Sequence, residues 1–112
     1  MRVQRGDIFV IPCTTTPGCD KKKLYVVVVS PDAFNALFMP IVLPIKSPDE
    51  TTPNRGFKVS MAESGCVTKG TIICNLPRAV DLNARKGRYV ETLPKVVMAE
   101  VLARVRTIFE WK

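Results

Sequence analysis

The residues of this chain best suited to chemistry are its cations. Asp20 is followed directly by Lys21, Lys22 and Lys23, and 17 Lys and Arg stand against 10 Asp and Glu, a formal net charge of +7. Ammonium groups can hold a phosphate backbone and neutralise charge that develops in a transition state. A solvated loop and a solubilising surface are the plain alternatives. The composition therefore favours a polyanionic partner such as RNA, DNA or an acidic protein segment, and leaves a purely solubilising role open.

Cysteine and histidine chemistry has little to build on. The cysteines are Cys13, Cys19, Cys66 and Cys74, no two of them have Cys-x-x-Cys spacing, and the chain has no histidine. A zinc site would need all four thiolates without paired knuckles, so we expect no metal and no cofactor. Because no histidine is available to form the Cys19 thiolate, that residue is expected to be incidental. Cys66 and Cys74 are expected to fill small gaps in the fold.

The elements that must position these residues are mostly strands. Short apolar runs bounded by Pro, Gly and polar residues predict strands over 7–13, 24–29, 39–45, 57–61, 70–75, 78–82 and 87–91. The four valines within 24–29 predict a buried central strand. Residues 30–35 predict a capped turn or one short helix. Pro40 and Pro44 are expected to mark where ladder bonding stops.

The end of the chain has a different period. Met98, Val101, Leu102, Val105 and Ile108 recur every three or four residues, which predicts an amphipathic helix over 94–111 with Pro94 in its first turn. We therefore predict a fold that is mainly β with a C-terminal α-helix, a small antiparallel barrel with the helix covering one face. The 112 residues, 46% of them apolar, suit a single domain over 1–112.

The sequence also bears on location. Residues 1–7 contain no apolar signal region, and no apolar run approaches the roughly 20 residues of a membrane span. We expect a cytoplasmic protein with reduced thiols and no membrane partner.

Five segments, taken in order, carry a family resemblance. They are Arg5-Gly6-Asp7-Ile8, Ser30-Pro31-Asp32-Ala33-Phe34-Asn35, Pro44-Ile45-Lys46-Ser47, Gly56-Phe57-Lys58-Val59-Ser60 and Pro77-Arg78-Ala79-Val80-Asp81-Leu82-Asn83-Ala84-Arg85. The chain resembles the Kid/PemK/MazF family of bacterial toxins, and most closely its PemK-like branch. The resemblance implies an SH3-like barrel and the toxin of a type II toxin–antitoxin system that cleaves single-stranded RNA. It also implies a homodimer, a cognate antitoxin, and operator DNA bound as the toxin–antitoxin complex.

The family's catalytic residue types are replaced at the matching positions. Family enzymes use the ribose 2′-hydroxyl as nucleophile, a reaction that needs a base, an acid and cations. The Arg and Asp of the PemK-like branch match Ile73 and Asn75, and its first-loop His or Ser matches Cys19. The Arg and Thr of the MazF-like branch match Leu24 and Lys46.

Other positions of the implied RNA groove have gained cations. Asp20 and Lys46 are the catalytic candidates, with Asp20 as the carboxylate suited to act as base. The implied RNA-binding set is Lys21, Lys22, Lys23, Lys46, Ser47, Arg55, Phe57, Lys69, Asn75 and Arg78. Phe57 is expected to be half core and half groove wall, where it can stack on a base. For Arg78 the alternative is a structural pair with Asp81, and for Asn75 a turn.

Three functions stay open. The leading one is an RNA-binding and RNA-cleaving toxin, an mRNA interferase. The second is a nuclease-deficient member that binds only antitoxin or nucleic acid, which the replaced catalytic sets favour. The third is a gyrase poison of the CcdB type acting through the end of the C-terminal helix, Thr107-Ile108-Phe109-Glu110-Trp111-Lys112.

Overall fold

The fold of this chain was obtained as a computed structural model, which describes residues 2–12, 23–47 and 56–111. These residues form seven strands and two helices. In chain order they are β1 (Asp7–Pro12), β2 (Lys23–Val28), α1 (Asp32–Leu37), β3 (Ile41–Lys46), β4 (Lys58–Ser60), β5 (Thr71–Ile73), β6 (Arg78–Ala79), β7 (Arg88–Thr92) and α2 (Lys95–Phe109).

The strands form one antiparallel sheet. Its order is β4-β5-β3-β2-β1-β7, and β6 pairs with the first residues of β3. The predicted class, mainly β with a C-terminal helix, is confirmed. Neither helix in the described parts of the chain has the length and apolar content needed to cross a bilayer.

The valine run forms the centre of the sheet, as predicted. β2 pairs with β1 on one side and β3 on the other. Val27 and Val29 face a core cluster that includes Met98 and Val101 of α2. Val26 and Val28 face the opposite cluster. Because both faces of the sheet are covered here, the strand is continuously apolar instead of alternating with polar residues.

The C-terminal helix buries one face against the sheet. Met98 and Val101 are buried, and Val97, Leu102 and Val105 are partly buried around the same cluster. Pro94 was expected inside the first turn, but it precedes the helix as its N-terminal cap, and α2 begins at Lys95. The ring of Pro94 fixes its φ at −58°, but its ψ of 145° is extended and not helical. The helical conformation therefore starts at the next residue.

The strand limits differ from the predicted ones most clearly at two places. Pro44 lies inside β3, opposite Val26. On the other edge of β3, pairing with β5 stops at Ile45 and pairing with β6 stops at Val42, so Pro44 does mark a break in that ladder, as predicted. The Val29 amide donates to the Ile41 carbonyl at 2.9 Å, so the alternating ladder places Pro44 at a position that needs no N–H toward β2. The strand predicted over 78–82 is only Arg78–Ala79, because Asp81 accepts a hydrogen bond from the Ala84 amide at 3.1 Å and starts a turn. In the described structure Asp81 forms no ion pair with Arg78.

Candidate functional site

A cleft of about 480 Å³ opens between the start of β2, the end of β3 and the loop that precedes β5. The strand register explains why these segments meet. Tyr25 lies opposite Ile45, so the first residues of β2 lie beside the last residues of β3. On the other edge of β3, Lys46 pairs with Thr71, which brings the residues just before Thr71 to the same place.

Three lysines from three separate segments line this cleft, hereafter the lysine cleft. They are Lys23, Lys46 and Lys69. Ser47 and Thr68 add hydroxyl groups to the lining. The remaining lining residues are apolar or aromatic: Leu24, Tyr25, Ile45, Val67 and Val90. Ammonium groups bind phosphate oxygens, and apolar or aromatic surface accepts a nucleobase, so the composition of the cleft suits a nucleic acid strand.

Gly70 lets the loop approach β3 closely beside the cleft. Its φ is +129°, a conformation that residues with a side chain rarely adopt. A Cβ at this position would overlap the carbonyl oxygen of Lys46 and lie 3.2 Å from Cγ2 of Ile45. The absence of a side chain at Gly70 therefore sets the distance between the loop and Lys46.

Glu91 holds the same loop from the side of β7. Its Oε1 accepts the Val67 amide at 3.0 Å, and its Oε2 accepts the Thr68 amide at 2.7 Å and the Thr68 hydroxyl at 2.6 Å. Partial burial opposes ionisation of this carboxyl, but the hydrogen bonds from Thr68, Val67 and Cys66 outweigh it and lower the pKa of Glu91. The carboxylate is thus ionised at neutral pH and committed to the loop.

The structure brings together four of the residues selected from the sequence. Lys23, Lys46, Ser47 and Lys69 all line the lysine cleft, and Leu24, at the position of a family arginine, lies among them. Asp20, Lys21, Lys22 and Arg55, together with Cys19, lie outside the described residues.

Three other selected residues do not line the cleft. Phe57 packs partly buried against the core beneath α2, and its ring centroid lies 6.2 Å from that of Trp111. Arg78 is exposed on β6, at the far end of β3. Asn75 is half-buried in the turn after β5, and its Oδ1 is buried without a hydrogen-bond donor in the described structure. Phe57 therefore packs against the core, as half of its prediction stated, and its exposed part contacts Trp111 outside the lysine cleft.

The neighbours of Asn75 are apolar in character. Ile73, at the position of the PemK-like arginine, is 1% exposed. Cys74 is buried in the main core cluster, as expected for a gap-filling residue. Burial raises the pKa of the Cys74 thiol from 9.0 to about 11, with Arg104 lowering it and Glu100 raising it by smaller amounts. A buried isoleucine at the end of β5 and a buried neutral thiol directly after it leave no ionised group at residues 73–74.

Acid–base groups at the lysine cleft are limited. Its described lining contains no carboxylate and no histidine. Across residues 2–12, 23–47 and 56–111, no three Cys, Asp or Glu side chains lie close enough together to bind a metal ion. The polar side chains in the described lining are therefore ammonium, hydroxyl and phenol groups. Such groups can stabilise negative charge on a phosphate and orient a nucleic acid strand.

Sequence reasoning missed Glu91 and Thr68. Their contact joins residues 23 positions apart, and nothing local in either segment indicates it. The only available hint was a lone acidic residue at the end of the last predicted strand, in a chain with few carboxylates.

Comparison with known proteins places this geometry in a family. The family model for the PemK-like, MazF-like toxin of type II toxin–antitoxin systems matches residues 4–109. The endoribonuclease PemK of Escherichia coli is 35% identical over 108 residues, covering 95% of this chain and 81% of PemK. The endoribonuclease toxin ChpB of Escherichia coli strain K12 is 30% identical over 110 residues, covering 96% of this chain and 94% of ChpB.

Solved structures share the fold at lower sequence identity. A MazE–MazF crystal structure from Deinococcus radiodurans aligns over 100% of both chains with a TM-score of 0.78 at 19% identity. A mycobacterial endoribonuclease in complex with its cognate antitoxin aligns over 98% of this chain and 97% of the other, with a TM-score of 0.74 at 14% identity. On the matched length and the identity to PemK, the chain belongs to the PemK-like, MazF-like toxin family of type II toxin–antitoxin systems.

Proposed function

We propose that this chain binds single-stranded RNA in the lysine cleft and cleaves it, as the toxin of a toxin–antitoxin pair. The observation that carries the proposal is the convergence of Lys23, Lys46 and Lys69 on one cleft with an apolar and aromatic lining. Two relatives with 30% identity or more are named endoribonucleases, and this chain covers most of their length. The basic net charge of +7 supports the same class of ligand.

In the proposed reaction the ribose 2′-hydroxyl attacks its own 3′-phosphate. The 2′-oxygen forms a bond to phosphorus, the bond to the 5′-oxygen breaks, and the products are a 2′,3′-cyclic phosphate and a 5′-hydroxyl. The proton of the 2′-hydroxyl passes to a base, for which Asp20 is the candidate, and the 5′-oxygen takes up a proton from solvent water. Lys46, with Lys23 and Lys69, stabilises the charge that builds up on the phosphate oxygens.

A second function, RNA binding without cleavage, has one specific observation in its favour. Ile73 is buried as well as apolar, so the position of the PemK-like arginine is unavailable to a substrate phosphate. Restoring an arginine there would bury a guanidinium at considerable cost. The distinguishing measurement is the appearance of 5′-hydroxyl ends on a long mixed-sequence RNA incubated with the purified protein.

The proposed partners follow from the family. They are a cognate antitoxin, operator DNA bound by the toxin–antitoxin complex, and a second copy of the chain as a homodimer. Support comes from family membership, and a related fold has been solved with its cognate antitoxin bound. Single-stranded RNA is the proposed ligand of the cleft itself, and Lys21, Lys22 and Arg55 are proposed to extend the cationic surface around it.

The test removes the cleft lysines while controlling for net charge. One variant carries Lys23→Ala, Lys46→Ala and Lys69→Ala. The matched control carries Lys58→Ala, Lys95→Ala and Arg106→Ala, three exposed cations that do not line the cleft. Both lose three charges, so any difference between them reports position.

For single-stranded RNA we expect the cleft variant to lower the slope of log affinity against log salt by roughly 2, at about 0.7 per lost phosphate contact. The control should keep most of the wild-type slope. Equal losses in the two variants would mean that RNA responds to overall charge, and the cleft would not be the binding site.

A further inference from the structure

The loop beside the lysine cleft is fixed at two points, and Lys69 lies between them. On one side the Glu91 carboxylate accepts both consecutive amides, Val67 and Thr68, and the Thr68 hydroxyl. On the other side Gly70 lies directly against the backbone of Lys46. Val67, Thr68 and Lys69 all line the cleft.

A carboxylate is well suited to this task. Its two oxygens offer about four lone-pair positions and no donor, so it can accept all three hydrogen bonds at once. An amide would place an NH₂ group against a backbone N–H and lose at least one of them. Hydrogen bonds to a charged acceptor are also stronger than neutral ones. The 2.6–3.0 Å distances of the three contacts show a well-formed clamp.

We propose that Glu91 is a positioning residue of the lysine cleft: by holding the amides of Val67 and Thr68, its carboxylate fixes the direction of the loop and delivers Lys69 to the RNA phosphate. This inference rests on the proposed RNA-binding function. Glu91 does not line the cleft, and it acts on RNA only through the loop. It thereby links β7, the edge strand beside β1, to the loop that brings Lys69 to the cleft.

The first measurement concerns the loop without RNA. Glu91→Gln keeps the shape of the side chain and should raise the hydrogen-exchange rates of the Val67 and Thr68 amides by about tenfold or more. The matched control is Glu63→Gln, the same change at an exposed residue of the same loop. It should leave both amides at their wild-type rates. Unchanged exchange in Glu91→Gln would overturn the proposal.

The second measurement is a double-mutant cycle for RNA affinity with Lys69→Ala. Glu91→Gln alone should weaken RNA binding roughly three- to tenfold. This loss of affinity should not exceed the loss caused by Lys69→Ala alone. In the Lys69→Ala background, Glu91→Gln should weaken binding no further, because the residue that Glu91 positions is already gone. An effect of equal size in both backgrounds would show a general structural role and overturn the positioning role.

The outcomes separate this inference from the function on which it rests. If the triple lysine variant weakens RNA binding no more than its charge-matched control, the cleft is not the RNA site and both proposals fail. If Lys69→Ala weakens binding and Glu91→Gln does not, the function survives and the positioning role is wrong. Should Glu91→Gln fail to fold, Glu91→Asp, which withdraws the carboxylate by one methylene, carries the same measurements with the same expected directions.

Discussion

Gly70 is the residue at which backbone conformation and the cleft depend most directly on each other. Gly70→Ala must place a Cβ at φ +129° and against the carbonyl of Lys46, so we expect the free energy of unfolding to fall by roughly 2 kcal/mol or more. Gly65→Ala is the matched control, because Gly65 has φ +82° and open space where the Cβ would be. There we expect only the conformational cost of about 1 kcal/mol.

Urea denaturation of the two variants separates the two contributions. Equal losses of stability would show that the close approach of Gly70 to Lys46 carries no energy of its own. We expect Gly70→Ala to lose more stability than Gly65→Ala. Gly70→Ala should also raise the hydrogen-exchange rates of neighbouring amides, because the loop must move away from β3.

Cys74 makes stability depend on pH in the alkaline range. Burial raises its pKa from 9.0 in the unfolded chain to about 11 in the fold, so the folded state binds the proton more tightly. That contribution is fully present below pH 9.0 and is lost as the pH rises toward 11. Arg104 and Glu100 are the charged groups that act on this thiol, in opposite directions.

The measurement compares unfolding free energies of the wild type and Cys74→Ala between pH 8 and 11. Contributions that the two proteins share cancel in the difference. The wild type should lose its advantage over the variant as the pH rises through this range. Parallel curves would contradict a buried, proton-retaining thiol.

At the residue scale, the sequence predicted that lysines would line one site, but it did not predict the contacts that hold them at the cleft. Resemblance selected Lys46 and Lys69, and the strand register then brought them to Lys23. Glu91 escaped prediction because its three hydrogen bonds cross between β7 and a loop that no local pattern connects. The core contact of Phe57 was predicted, but its ring contact with Trp111 was not, because that contact depends on where α2 ends.

At the scale of elements, α2 is stabilised by one buried stripe. Val101 is 0% exposed and Val96 is 84% exposed, so the same substitution tests the two faces of one helix. Val101→Ala removes two buried methyl groups and should cost about 2 kcal/mol, including the cavity that it leaves. Val96→Ala should be neutral or slightly stabilising, because alanine has the higher helix propensity.

Thermal and urea denaturation check the sign as well as the size of this difference. A loss of stability in Val96→Ala comparable to that in Val101→Ala would mean that the exposed face is covered in solution. The amide exchange pattern of α2 would then show which turn is protected.

Element types were easier to predict than element limits. An apolar stripe with a period of three to four residues indicates an amphipathic helix, which is α2. A short run of valines indicates a strand that is buried on both faces, which is β2. Limits depend on hydrogen bonds that composition does not reveal. β6 stops at Ala79 because Asp81 starts a turn, and Pro44 is tolerated inside β3 because its nitrogen points away from β2 into the gap between the pairings with β5 and β6.

At the scale of the whole molecule, charge gives opposite salt dependences to the two proposed associations. RNA binding replaces counterions on the phosphates, so its affinity should fall as salt rises. A homodimer brings two chains of +7 together, twice the charge in one particle, and self-repulsion opposes its formation. Added salt screens that repulsion, so dimer affinity should rise between about 0.05 and 0.3 M salt.

Light scattering at micromolar concentration is expected to give a mass near twice 12.5 kDa, and dilution at each salt concentration yields the dissociation constant of the dimer. RNA affinity measured over the same salt series should move in the other direction. A monomeric mass at every salt concentration would contradict the homodimer. A dimer that dissociates as salt rises would instead mean that the two copies meet through complementary charges, with each cationic surface paired to an acidic one. In that case RNA and the second copy would compete for the lysines, and the triple lysine variant would weaken both associations together.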